Sequence, residues 1–195
     1  GIDITHLAVS LIEKRLKDRY GETCKFEVIG TPGDLEAARD LAQRNKYQFQ
    51  WWAVSLVDAQ PYQGKKKGAD GGIDGLKFFH DVDKAGVRKI LVSVKGGSTV
   101  GLSMVKDLIT TVTHNGAEIG LFVTLTPPSQ PMIAGAAKAG FYTSASGEKF
   151  ARLQILTIED LMSGKARSRH PDHKPDLDFK KARREKDSEQ TEFCL

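Results

Sequence analysis

A chain of 195 residues can bury one substantial core and carry an appendage, so one main domain with flanking material is expected. Apolar content is an ordinary 39%, and no run approaches the roughly 18 consecutive apolar residues that cross a bilayer, so no membrane partner is expected. Net charge is +4, and it is concentrated: residues 61–95 hold eight Lys or Arg against four Asp, the balance of a segment that meets a polyanion.

The chain opens on Gly1-Ile-Asp-Ile-Thr-His6, with neither a basic start nor an apolar signal core, which predicts a cytoplasmic location. Cys24 and Cys194 lie far apart without a CxxC spacing, so neither a zinc site nor a disulfide framework is indicated. Residues 5–20 place Leu7, Leu11, Ile12 and Leu16 at helical spacing, with Gly21 as the stop. Residues 25–30 read as a short strand, and Thr31-Pro32 as the start of a helix whose apolar face is Leu35, Ala38, Leu41 and Ala42. A second helix follows, with Phe49, Trp52, Ala53 and Leu56 on one stripe and Gln48 and Gln50 off it. Both tryptophans, Trp51 and Trp52, are assigned to the core. Residues 60–68 form a loop or ragged edge strand, and 73–79 a strand with Asp74 near its start. Residues 80–86 form a turn-rich link, and Val87 to Lys95 a strand covered on both faces. Leu102, Val105, Ile109 and Val112 then give a helix its inner face. Ala117 to Leu125 is a buried strand. Pro127-Pro128-Ser129 start a helix with Met132, Ile133, Ala136 and Ala137 inward, and Gly140 ends it. Phe141 and Tyr142 enter a polar loop through Gly147, a connector with room to lie against a DNA groove. Leu153 to Thr157 is a last strand and Ile158 to Met162 a brief helix. Prolines and charges dominate from Ser163, which predicts a flexible tail over 163–195 with a helical piece near 178–189.

The stretch that organises this order is Gly68-Ala-Asp-Gly-Gly-Ile-Asp74-Gly75, an acid on a glycine-rich turn, followed by the strand Lys89-Ile-Leu-Val-Ser-Val-Lys95. Asp74 and Lys95 are separated by the length that two neighbouring strands and a hairpin need. Alternation puts Ser93 and Lys95 on one face of their strand and Val94 on the other. A lysine ending an apolar strand must reach water or a charged partner, because burying it unpaired is costly. An acid and a lysine so placed suit phosphodiester chemistry, the acid holding a divalent metal and the lysine standing beside the attacking water. Lys65-Lys66-Lys67 stands directly before the acidic turn, where it would draw in and neutralise phosphates.

"GADGGIDG", "ILVSVKGG" and "VGLSMVKDL", in this order over roughly residues 46–162, resemble the Mrr-type branch of the PD-(D/E)XK nuclease superfamily. In that branch a G-x-D-G-G-x-D-G turn precedes a strand ending in (D/E/Q)-x-K, and a helix follows. The resemblance implies an α/β, restriction-endonuclease-like mixed sheet flanked by helices, with an N-terminal helical and strand extension. It also implies a Mg²⁺- or Mn²⁺-dependent endonuclease acting on double-stranded DNA in a restriction-modification system, with a homodimer as one arrangement for cutting both strands. By this likeness Asp74 and the Val94 carbonyl hold the metal, Asp70 supplies a second carboxylate, and Lys95 orients water. Ser93 and Gln50 occupy site positions where the family usually has Asp, Glu or Gln and, on the upstream helix, Glu. Read from their position after the strand, Lys106 and the backbone near Ser98 and Thr99 are candidates to touch phosphate. The substitutions at Ser93 and Gln50 also define an alternative: a nuclease-derived DNA-binding module that grips duplex DNA without cutting.

The opening phrase GIDITHLAVSLIEKRL resembles the end of the AdoMet-binding motif of DNA amino-methyltransferases, with Asp3 at the position of the acid that bonds the cofactor ribose. The Gly-rich loop and the Asp-Pro-Pro-Tyr motif of those enzymes are missing here. AdoMet is therefore expected only if a longer chain supplies a methyltransferase domain or subunit as partner. Three parts follow from this reading: 1–45, the end of that motif plus linker helices; 46–162, the nuclease-like domain; and 163–195, the tail.

Overall fold

The computed structural model describes residues 6–21, 25–62, 72–81 and 84–171. Its elements are α1 (His6–Tyr20), α2 (Leu35–Arg44), α3 (Lys46–Ser55), β1 (Gln60–Pro61), β2 (Gly75–Asp81), β3 (Lys84–Lys95), α4 (Leu102–His114), β4 (Ile119–Thr124), α5 (Gln130–Ala137), β5 (Phe141–Thr143), β6 (Lys149–Ala151), β7 (Leu153–Thr157) and α6 (Ile158–Met162). Five strands form one mixed sheet in the order β1-β2-β3-β4-β7. The β1–β2 and β2–β3 pairs are antiparallel, and the β3–β4 and β4–β7 pairs are parallel. Parallel neighbours cannot be joined by a hairpin, so α4 crosses over between β3 and β4, and α5 with the β5–β6 hairpin between β4 and β7.

Helices cover both faces of the sheet. On one face Ala38, Phe49, Trp52 and Val54 of α2 and α3 meet Val92, Val94, Leu121 and Val123 of the central strands, with Ile158 of α6 alongside. On the other, Val105, Leu108 and Val112 of α4 and Met132 of α5 meet Leu91, Phe122 and Leu153. Consecutive residues of β3 thus feed opposite layers, which is why its centre, Ile90 to Val92, reads as an unbroken apolar run. Each fully buried large side chain contributes about 1.5–3 kcal/mol, and Phe49 is 1% exposed. The α3 layer sits close on the sheet. A Cβ at Gly75 would come within 2.8 Å of Val54 Cγ1, and one at Gly96 within 2.7 Å of the Phe49 ring. Both positions admit no side chain, and the closeness brings the first turns of α3 over the end of β3.

Several local expectations are corrected. Residues 25–29 are not a strand: no neighbour in the sheet offers them a ladder, and Ile29 is 87% exposed. The following helix begins at Leu35, three residues after Pro32, because Asp34 caps it by accepting from the Ala37 N–H at 2.8 Å. The link expected at 80–86 is ladder in its described residues, since His80 pairs with Val87 and Asp81 with Lys84. Ile133 and Ala137 of α5 face outward, leaving Met132 and Ala136 as its buried residues. Phe141 and Tyr142 belong to a hairpin strand, not a polar loop, and Tyr142 is buried against Phe79 edge to face. Residues 163–171, expected as the start of a flexible tail, are held to the body. Gln154 Nε2 donates to the Arg169 carbonyl at 2.6 Å, and the Arg169 N–H donates to Gln154 Oε1 at 2.8 Å. The remainder of that tail, from residue 172, lies outside the described residues.

Candidate active site

Asp74 stands one residue ahead of β2, where the β2–β3 ladder ends. Its N–H still donates to the Val92 carbonyl at 2.8 Å, and its carbonyl accepts from the Tyr62 N–H at 2.9 Å. The side chain then takes over from the backbone: Oδ2 accepts from the Val94 N–H at 2.7 Å, and Oδ1 accepts from Gln50 Nε2 at 2.9 Å. The carboxylate thereby satisfies a β3 amide that has no further β2 residue to pair with. Backbone groups of alternate residues point to alternate edges of a strand. On β3 the Lys95 carbonyl accepts from the Leu125 N–H on the β4 side, while Val92 and Val94 address the β2 side. The Val94 carbonyl is therefore directed to the same edge as the Asp74 carboxylate.

The two faces of the sheet contribute different chemistry at this point. Gln50 reaches Asp74 from α3, on the Val94 face. Ser93 and Lys95 project to the α4 face, where they line a cavity of about 440 Å³ with Gly72, Met104, Asp107 and Thr111. Lys95 is half-buried and, among the described residues, makes no hydrogen bond or ion pair. Ser93 is 3% exposed, and its hydroxyl is likewise without a partner among the described residues. Burial pushes the Asp74 carboxyl above the ordinary carboxylate range; the Val94 hydrogen bond and the positive charges of Lys95 and Lys46 pull the other way without cancelling it. A buried carboxylate beside an unpaired lysine is the kind of perturbed pair that collects at functional sites.

The family model for a restriction endonuclease catalytic region, Mrr_cat, matches residues 37–154, more than half of the chain. The chain belongs to this restriction endonuclease family. Its fold is the mixed five-stranded sheet between helices expected for that family. A solved structure, the MspJI restriction endonuclease in complex with a 27-mer oligonucleotide, aligns at 16% identity and a TM-score of 0.47. The alignment covers 70% of this chain and 32% of that one, so the chain spans about a third of that enzyme. No curated protein matches.

The span matched to the restriction endonuclease family takes in Gln50, Asp74 and Ser93 to Lys95, and leaves α1 and α6 outside it. It begins inside α2, whose Ala38 is fully buried in the main core, so that core reaches back before residue 46. Of the residues expected at the site, Asp74, Gln50, Val94 and Lys95 come together. Ser93 stands on the cavity wall and makes no hydrogen bond to the carboxylate. Ser98 and Thr99 are exposed in the loop that follows Lys95, a loop pinned where Thr126 Oγ1 donates to the Gly97 carbonyl at 3.2 Å. Lys106 is exposed on α4, next to cavity-lining Asp107. Lys65, Lys66, Lys67, Asp70 and Asp3 lie outside the described residues. Among the described residues no three His, Cys, Asp or Glu side chains gather into a metal cage, and no helix is long and apolar enough to cross a membrane. Sequence reasoning did not single out Lys46 or Asp107. The first stands four residues before Gln50, on the same helix face, and that spacing was the available signal.

Proposed function

We propose that this domain hydrolyses phosphodiester bonds of double-stranded DNA with the help of Mg²⁺ or Mn²⁺, as the cleaving part of a restriction-modification system. The observation that carries the reading is the Asp74 carboxylate, fixed by the Val94 N–H and Gln50 at the end of β3, with an unpaired lysine one residue further on.

The donor set suits a hard divalent ion. Each Asp74 oxygen accepts one hydrogen bond from these partners, and a carboxylate offers about four acceptor positions, so others remain free. Asp74 and the Val94 carbonyl would hold the ion with water in the rest of its shell, the arrangement magnesium favours. Such an ion lowers the pKa of bound water and offsets charge on the phosphate. Gln50 holds Asp74 in orientation by its 2.9 Å bond. Lys95 offers its ammonium to a non-bridging phosphate oxygen and to the incoming water, stabilising negative charge as it builds. Ser93 offers a hydroxyl from the cavity wall in place of a second anionic ligand, and Asp70 is the acid proposed to complete the set. Ser98, Thr99, Lys106 and Lys65 to Lys67 are proposed to neutralise neighbouring phosphates. Association with a methyltransferase rests on the opening phrase and Asp3, and pairing of two copies on the need to cut both strands.

Plasmid nicking tests the reading. The whole chain incubated with Mg²⁺ or Mn²⁺ is expected to convert supercoiled to open-circular DNA, and Asp74→Ala and Lys95→Ala to abolish the conversion. One observation favours a second reading. The Gln50 amide donates into the carboxylate while Ser93 brings no charge, so one acid serves where two usually clamp a metal. On that reading the domain grips duplex DNA without cutting, and the same assay gives binding with no nicking under any metal.

A further inference from the structure

We propose that Lys46, on the first turn of α3, binds a phosphodiester adjoining the one that is cut, so that two lysines from opposite faces of the sheet bracket Asp74. The inference rests on the nuclease reading for which phosphate is meant, and on the following geometry for the contact itself. Lys46 and Gln50 share one face of α3 at i,i+4 spacing, and Gln50 is the residue that bonds Asp74. Helical side chains lean toward the amino end, so Lys46 projects past the Gln50–Asp74 contact and outward. The contact between Gly96 and Phe49 fixes this turn of α3 over the end of β3.

Among the described residues the charge of Lys46 acts only at a distance, on the Asp74 carboxylate. It is exposed and, among the described residues, has no hydrogen bond or ion pair. Three cations of α1 and α2 are paired within their own helix: Lys17 with Glu13, Arg39 with Glu36 and Arg44 with Asp40. Lys46 has no acid three or four positions away on either side, where Ala42, Gln43, Phe49 and Gln50 stand. It also occupies the first residue of a helix, the end where the backbone dipole disfavours a cation. A lysine that disfavours its own helix end, makes no ion pair among the described residues and directs its charge toward the Asp74 carboxylate only from a distance is placed for an anion that arrives from outside. Lys95 supplies the counterpart from the α4 face.

The test is DNA affinity as a function of salt, measured on the whole chain by fluorescence anisotropy with a labelled 20-base-pair duplex in EDTA, so that no cleavage intervenes. One phosphate contact contributes about 0.9 to the slope of log K against log salt. Lys46→Ala is expected to reduce that slope by about 1 and to weaken binding at low salt roughly fivefold or more, whatever the duplex sequence. Lys46→Arg is expected to retain the slope. Thermal melting separates this role from a structural one: for an exposed side chain with no hydrogen bond or ion pair among the described residues, the Ala variant should melt close to the wild-type Tm. An unchanged slope in Lys46→Ala, or a lowered Tm accounting for the affinity loss, overturns the proposal. Failure of the wild-type chain to nick plasmid would remove the cleavage reading alone, because anisotropy in EDTA reads the contact independently.

Discussion

Val94 gives its backbone N–H to Asp74 Oδ2 at 2.7 Å, so a side-chain acid occupies the place in the sheet that the next residue of β2 would fill. The carboxylate is thus positioned by the ladder and not by a flexible loop. Burial makes its charge costly in the absence of a cation.

Asp74→Asn should therefore separate stability from activity. Nicking is expected to fall by about 10²-fold or more, as when a group stabilising transition-state charge is removed, while the metal-free protein melts at or above the wild-type Tm. The sign follows from the raised carboxyl. Its contribution to stability is fully present below the ordinary Asp pKa of about 3.9 and is lost as pH rises through the higher folded value. Melting curves from pH 3 to 8 should show the advantage of the Asn variant shrinking toward acid.

Lys95→Met keeps much of the side-chain stem and removes the charge. Cleavage is expected to drop about 10²- to 10³-fold, with a smaller change in DNA affinity than in rate, since several other cations are proposed to face the DNA backbone. Single-turnover cleavage beside anisotropy titrations distinguishes the two quantities.

Gly96→Ala and Gly97→Ala form a matched pair. A Cβ at Gly96 meets the Phe49 ring at 2.7 Å, whereas one at Gly97 meets nothing within 4 Å. The first should cost about 1–3 kcal/mol by overpacking and displace α3 together with Gln50. The second should leave stability within about 0.5 kcal/mol. Urea melts and nicking rates for both variants check this.

Tyr142→Phe addresses the far end of β2. The Tyr142 hydroxyl donates to Asp81 Oδ2 at 2.6 Å, and Asp81 also accepts from the Ala145 N–H at 2.9 Å. Losing a hydrogen bond to a charged group should cost about 1.5–3 kcal/mol, with nicking below the melting range unchanged. Burial and the Asp81 carboxylate hold the Tyr142 phenol above its ordinary range. Its contribution is present below about pH 10 and lost as pH rises through the folded value. The Phe variant should lose that alkaline dependence, as read by Tm from pH 8 to 11.

The central sheet was legible because Val87 to Lys95 and Ala117 to Leu125 are largely apolar on both faces, as a strand sandwiched between helices needs. Asp74, Gln50 and Lys95 were legible through a glycine-rich turn, a polar residue off a helix stripe and a lysine at the end of a buried strand. The strand expected at 25–30 failed because alternation in isolation says nothing about a partner to pair with. Phe141 and Tyr142 were read as loop because three-residue strands leave no periodicity, and what orders Tyr142 is a contact with Asp81, 61 positions away. Lys46 escaped because its only local mark is a spacing of four from Gln50; its meaning comes from what its helix is packed beside.

The placement of Asp74 one step ahead of β2 carries a consequence for quality control. Side chains in a strand alternate sides, so a slip of β2 by a single position would swing the acid away from the Val94 amide and from Gln50. A misregistered copy would lose its proposed ion-holding group at the same moment as its correct pairing. On the proposed cleaving function, errors in folding would then yield silent molecules, not indiscriminate ones.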